Sequence, residues 1–249
     1  MHPRCSKLTI ADFVKGIEIF EEARVRSAPA ADVECTSREI LLRDSPAEQS
    51  EPWTATGSAY VYRDLTRALA LRQDHLTRND GDPPDEQVQR LVLEHPGSVA
   101  VFAVAEGDRV VCVRQYRHTL RRRFIELPAG ICDVAGENPL EVAQRELREE
   151  VGLTARHWEP MSTTCPSLGL STETVRIYLA RDLAPAANNA FVRVHEEADM
   201  DIFAAPFDAL LEAVLGGHIV NAQLVIAVLM FQIGRLRKPD QPQYSQTIR

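Results

Sequence analysis

Residues Gly130 to Leu153, GICDVAGENPLEVAQRELREEVGL, contain the clearest helix in the chain, because its start, its buried side and its end can all be read from residue types. Asn138 supplies a side-chain oxygen for a free N–H of the first turn, and Pro139 has its φ already set for the first helical position. Glu141, three residues after Asn138, completes a capping box. Leu140, Ala143, Leu147 and Val151 recur at three- and four-residue intervals and predict one apolar face. Gly152 tolerates the left-handed conformation that ends a helix. On the same helix Glu146 and Glu150 are four residues apart, and Glu149 falls within the same arc of roughly 100°. Glu137 stands at the entrance. Like charges at this spacing disfavour the helix by roughly a few tenths of a kcal/mol unless something neutralises them. Two readings are open at this point. One is a solvated surface helix with a Glu141–Arg145–Glu149 ladder. The other is a carboxylate cluster that holds a hard divalent cation, Mg²⁺ or Mn²⁺, which prefers oxygen ligands.

The flanking residues favour the second reading. Pro128 to Gly136 form an irregular turn whose glycines let backbone carbonyls approach an ion. Before it, Tyr116 to Arg123 carries Arg117, His118, Arg121, Arg122 and Arg123. Positive groups, a tight turn and clustered carboxylates are what metal-assisted phosphoryl chemistry requires.

Further out, the patterns are those of an α/β protein. Residues 60–76 predict two short strands, 79–87 a loop, and Val88 to Leu93 a strand that ends at His95-Pro96-Gly97. Ser98 to Val104 and Arg109 to Gln115 form a hairpin about Glu106-Gly107-Asp108. Phe124 to Leu127 is a short strand broken by Pro128-Ala129-Gly130. Beyond the helix, strands are predicted over Leu153 to Met161 and Val175 to Leu179, with a Ser-, Thr-, Pro- and Gly-containing loop over 163–172 between them. Residues 181–190 read as a loop, and a further strand opens at His195-Glu196-Glu197 and runs through Ala204. Helices follow over Pro206 to Leu215 and Asn221 to Ile233, the second reading as core packing. Asp44 to Thr56 reads as a linker. The expected organisation is an N-terminal extension over 1–55, partly ordered, a β region over 56–95, the main domain over 96–234 and a polar tail over 235–249.

The whole chain has 249 residues and a net charge of −8. That balance, without a long basic run, argues against nucleic acid as a partner. Its five cysteines are odd in number and form no CxxC pair, which argues against a disulfide scaffold or a structural zinc site and fits a reducing cytoplasm. Cys112 and Cys132 read as passive, and Cys165 as a loop residue. The opening MHPRCSKLTIADF lacks the apolar run of a signal peptide, and Leu224 to Phe231 is too short to span a membrane. Trp158 reads as a packed strand residue, and His195, Glu196, Glu197 and Asp199 as an acidic patch.

The segment resembles the Nudix box. Arg145-Glu146-Leu147, Glu149-Glu150 and Gly152-Leu153 supply its REU, EE and GU parts, U being aliphatic, and seven residues separate Glu137 from Arg145. Six residues, where the pattern has five, separate Gly130 from Glu137, a one-residue insertion ahead of the helix. The flanks Arg114 to His118, Glu126 to Gly130, Ser171 to Tyr178 and His195 to Met200 resemble the ADP-ribose pyrophosphatase branch in its actinobacterial form. The resemblance implies an α/β/α sandwich around a mixed sheet, and a homodimer formed with the N-terminal β region. It implies metal ligation by Glu146 and Glu150, with Glu149 shared or nearby, by the Ala129 carbonyl, and by Glu137 directly or through water. Arg145 would orient a helix glutamate. Glu173, in the loop after the box, would be the catalytic base, with Glu149 as runner-up. Arg117, His118, Arg122 and Tyr116 are the candidates for phosphate, ribose or base contacts. The implied substrate is a small nucleoside diphosphate derivative, ADP-ribose first. A nucleotide sugar or NADH, or ligand sensing without cleavage, are the alternatives.

Overall fold

The structure is a computed structural model that describes residues 52–64, 68–80, 86–134, 136–187 and 199–236. Most of the expected N-terminal extension, the acidic residues 195–197 and the tail from 237 lie outside the described residues.

Three strands form a separate antiparallel sheet: β1 (Trp53–Asp64), β2 (Leu69–Arg78) and β3 (Glu86–Glu94), in that order. The expected linker therefore ends sooner than its composition indicates, since Trp53 to Thr56 already belong to β1. Pairing with β2 uses backbone groups and asks little of the side chains, and β1 is exposed along nearly its whole length.

The larger sheet is mixed. Its strands are β4 (Ser98–Ala105), β5 (Arg109–Arg117), β6 (Arg122–Glu126), β7 (Ala129–Ile131), β8 (Leu153–Thr164), β9 (Val175–Pro185) and β10 (Asp201–Pro206). The main order is β10-β5-β4-β9-β8, with β4 and β9 parallel and the other pairs antiparallel. Strands β8 and β9 run further than expected, pairing from Leu153↔Pro185 to Thr164↔Val175. The stretch from Arg181 that reads as loop is thus partly strand, its polar residues tolerated toward the exposed end of the ladder.

Alternate residues of β4 face two cores, which makes the layers α/β/α. Val99, Val101 and Ala103 pack with Val142, Ala143 and Leu147 of α1 (Pro139–Val151). Ala100, Phe102 and Val104 pack with Phe207, Leu210 and Leu211 of α2 (Phe207–Leu215) and Leu224, Ala227, Val228 and Phe231 of α3 (Ala222–Leu236). Trp158 packs at the border of the α1 core and donates Nε1–H to the Ala155 carbonyl at 3.1 Å.

Helix α1 starts and ends as read. Asn138 accepts from the Leu140 N–H, Glu141 reaches back to the Asn138 N–H, and Gly152 takes φ +69°. Its most buried side differs slightly from expectation. Val142, and not Leu140, joins Ala143 and Leu147 in full burial, so the stripe continues to position 150, a glutamate. Asn138→Ala is expected to cost about 1 kcal/mol of stability, the usual loss for a helix cap. Urea denaturation checks this, and an unchanged midpoint would mean that the cap bonds contribute nothing net.

Candidate active site

The site is built at a fork in the sheet. Strands β4 and β5 pair only beside their hairpin turn, at Val104↔Val110 and Ala105↔Arg109. Farther along, β5 pairs with β6 and β4 pairs with β7, so residues 122–131 fill the opening between them. Pro128 marks the crossing point. It has no N–H to donate to a ladder, and its carbonyl accepts from the Val101 N–H at 2.8 Å. The expected break after Leu127 is real, but Ala129 and Gly130 re-enter strand structure as β7.

Helix α1 lies over this fork. Glu150 is only 5% exposed, and its Oε2 accepts from the Ala129 N–H at 2.9 Å. A carboxylate at a core-facing helix position is costly without such partners. Gly130 is the neighbouring contact, since a Cβ there would overlap Cγ, Cδ and Oε1 of Glu146. Arg145 gathers the other carboxylates. Its Nη1 donates to Glu146 Oε1 at 2.7 Å and Glu149 Oε2 at 3.2 Å, and Nε contacts Glu137 Oε1 at 3.4 Å. Burial disfavours the Arg145 charge, but Glu146, Glu137 and Glu149 outweigh it and hold the guanidinium above its ordinary range. Thus Ala129, Glu137, Arg145, Glu146, Glu149 and Glu150, the set that the resemblance implies, lie together in one cluster. Arg145 bonds to three glutamates.

The basic hairpin is divided among several contacts. Arg117 forms a two-pronged ion pair with Glu126, Nε to Oε1 at 3.0 Å and Nη2 to Oε2 at 2.8 Å. Arg122 lies over the Phe124 ring, Arg123 donates to the Asp199 carbonyl at 2.8 Å, and Tyr116 meets His118 edge to face. The sequence pattern alone assigns Glu126 no role. It is 5% exposed and aims the Arg117 fork. Its signal is a single carboxylate inside the apolar run Phe124 to Leu127.

Glu173 stands apart from the helix cluster. Its Oε1 accepts from Ser98 Oγ at 2.9 Å, and His95 Nε2 lies 3.9 Å from the same oxygen. The register nevertheless keeps it near, because Ser98 pairs across to Ile131, the neighbour of Gly130. The thiols behave as read. Cys112 is fully buried and its pKa is pushed up to about 12 by burial, and burial also raises Cys132.

Clustered carboxylates on a helix above a forked mixed sheet, with an arginine hairpin alongside, have the donor chemistry that a phosphoanhydride hydrolase needs. The chain belongs to the NUDIX family: the NUDIX domain matches residues 94–215, and the similarity lies in the ADP-ribose pyrophosphatase-like branch. It is 43% identical over 165 residues to an ADP-ribose pyrophosphatase of Mycobacterium tuberculosis, covering 65% of this chain and 75% of that one. It is 32% identical over 151 residues to a methanol dehydrogenase activator of Bacillus methanolicus, covering 61% and 80%. A crystal structure of an ADP compounds hydrolase superposes with TM-score 0.61 at 18% identity, covering 76% of this chain and 96% of that one, and supports the fold. The protein is a Nudix pyrophosphohydrolase acting on a nucleoside diphosphate linked to a further group. Enzymes of this family generally require a divalent metal. No helix among the described residues is long and apolar enough to cross a membrane.

Proposed function

We propose that the chain hydrolyses ADP-ribose to AMP and ribose 5-phosphate with Mg²⁺, or Mn²⁺ in its place. The observation that carries this reading is the convergence of Glu137, Glu146 and Glu149 on Arg145, with Glu150 anchored beside them on Ala129. The ADP-ribose pyrophosphatase activity named for the Mycobacterium tuberculosis relative supports the substrate.

The donor chemistry fits a hard divalent cation, since every side-chain ligand is a carboxylate. In the arrangement paired to Arg145, no three His, Cys, Asp or Glu side chains among the described residues are already set around a point for an ion. The fit therefore rests on donor type and on the room that Gly130 leaves beside Glu146. Glu146 and Glu150 are the principal ligands, Glu149 is shared, Ala129 adds its carbonyl, and Glu137 acts directly or through water. When bound, the metal acidifies a water and offsets charge gathering on phosphorus.

The remaining roles belong to the chain. Arg145 holds Glu137, Glu146 and Glu149 in register. Arg117, aimed by Glu126, binds phosphate oxygens, with His118, Arg122 and Tyr116 beside it for phosphate, ribose or base. Glu173 removes the proton of the attacking water. The P–O–P bridge breaks, one phosphate leaves with each half, and the proton passes to solvent. The enzyme acts in the cytoplasm as a homodimer, through the β region over 56–95, whose Tyr60, Val61, Tyr62 and Leu91 are exposed.

Incubation with Mg²⁺ and a panel of ADP-ribose, GDP-mannose, NADH, diadenosine polyphosphates and CoA, with products separated by chromatography, tests the reading. Fastest turnover of ADP-ribose is expected. Preference for GDP-mannose or NADH would replace the substrate and leave the metal helix in place.

A further inference from the structure

We propose that Ser98 and His95 are positioning residues for Glu173, fixing one carboxylate oxygen so that the other faces the attacking water. This rests on the reading of Glu173 as the base. Glu173 Oε1 is engaged by Ser98 Oγ at 2.9 Å and by the nearby His95 ring. Its Oε2 has no hydrogen-bond partner among the described residues. A base needs that asymmetry: one oxygen to locate the group and one lone pair for the proton.

The histidine is itself oriented. Its Nδ1 accepts from the Gly97 N–H at 3.0 Å, so the hydrogen of the neutral ring sits on Nε2, the nitrogen nearer to Glu173. At 3.9 Å that approach is electrostatic and longer than a hydrogen bond, which makes Ser98 the primary tether.

The backbone holds both partners in one frame. The Leu93 N–H donates to the Leu170 carbonyl at 2.7 Å, and the Thr172 N–H donates to the Leu93 carbonyl at 3.0 Å. The His95 N–H donates to Thr172 Oγ1 at 2.9 Å, and the Ser98 N–H to the Thr174 carbonyl at 2.9 Å. Gly97, at φ +96°, allows this approach, because a Cβ there would press on Thr174 at 3.3 Å. The end of the β8–β9 loop is thus stitched to the β3–β4 turn. Ser98 lies directly across from Ile131, next to the glycine that receives Glu146. The tether sets where Glu173 sits relative to the metal-binding helix.

The test is a double-mutant cycle, with Mg²⁺ and ADP-ribose, or GDP-mannose if that is the compound turned over. Glu173→Gln alone is expected to lower kcat by about 10²- to 10⁴-fold, as loss of a general base does. Ser98→Ala is expected to lower kcat about tenfold with KM within about twofold, the pattern of lost transition-state alignment. Ser98→Thr, which keeps the hydroxyl, is expected to restore the rate. His95→Asn, which keeps an acceptor for the Gly97 N–H, is expected to lower kcat by a smaller factor. In the Glu173→Gln background both tether variants should change kcat by less than about twofold, because nothing remains for them to aim. A merely structural role would cost the same in both backgrounds, and that result would overturn the proposal. So would Ser98→Ala and His95→Asn with wild-type kcat beside an inactive Glu173→Gln. A Glu173→Gln variant at wild-type rate would remove the base assignment itself.

Discussion

Glu150→Gln is expected to lower kcat at least ~10²-fold while leaving the protein folded and as stable as before. The magnitude follows from its role, because loss of outer partners of a metal ligand already costs about 10- to 100-fold, and loss of a ligand should cost no less. Stability should hold because glutamine has the same shape, and its oxygen can keep the bond from the Ala129 N–H. Unfolding free energies from urea denaturation within about 1 kcal/mol of wild type are therefore expected beside the lost rate, the separation typical of a residue kept for function. Calorimetric Mn²⁺ titration should show weaker binding, independent of any substrate. A variant that turns over substrate within threefold of wild type would remove Glu150 from the ligand set.

Glu150 also illustrates what sequence patterning shows and where it stops. Helix α1 was legible because its information is local: Asn138, Pro139, Glu141 and Gly152 act on backbone groups a few residues away. The hairpin of β4 and β5 was legible for the same reason, through Glu106-Gly107-Asp108. The sequence pattern places Glu150 with Glu146 on a carboxylate arc, and the bond it accepts from the Ala129 N–H is a three-dimensional contact that no local pattern shows. The fork is different in kind. That β4 and β5 part after two residue pairs depends on β7 returning to pair with β4, a contact that no local pattern encodes, while β6 pairs with β5 as a hairpin. Ser98 and His95 read only as strand and turn residues, since their partner Glu173 lies 75 or more residues away, and the role of Glu126 shows only in the β5–β6 register that brings Arg117 to it. β1 was partly missed for another reason: an exposed strand paired through its backbone has no apolar alternation to announce it.

Gly130→Ala is expected to reduce kcat on the order of 10²-fold without unfolding the protein, although it adds one methyl group and alters no charge. Gly130 does not need a left-handed φ, so alanine can adopt its backbone, and a strand interior slightly prefers alanine to glycine. What the methyl meets is Cγ, Cδ and Oε1 of Glu146. These atoms are the movable end of a flexible side chain, so the clash is relieved by displacing the carboxylate and not by shifting β7. The stability change should then stay within about 1 kcal/mol, as for a relieved contact outside a rigid core. The rate should not recover, because a displacement of ~1 Å in a reacting group is enough to cost about 10²-fold. Gly234→Ala is the matched control: nothing lies within 4 Å of a Cβ there, and the position is helical. It should raise stability by about 0.5–1 kcal/mol with activity unchanged. If Gly130→Ala keeps its full rate, Glu146 reaches the metal by a path that does not cross the space over Gly130. If it unfolds, the close approach serves packing, and the assignment of this glycine to the site fails.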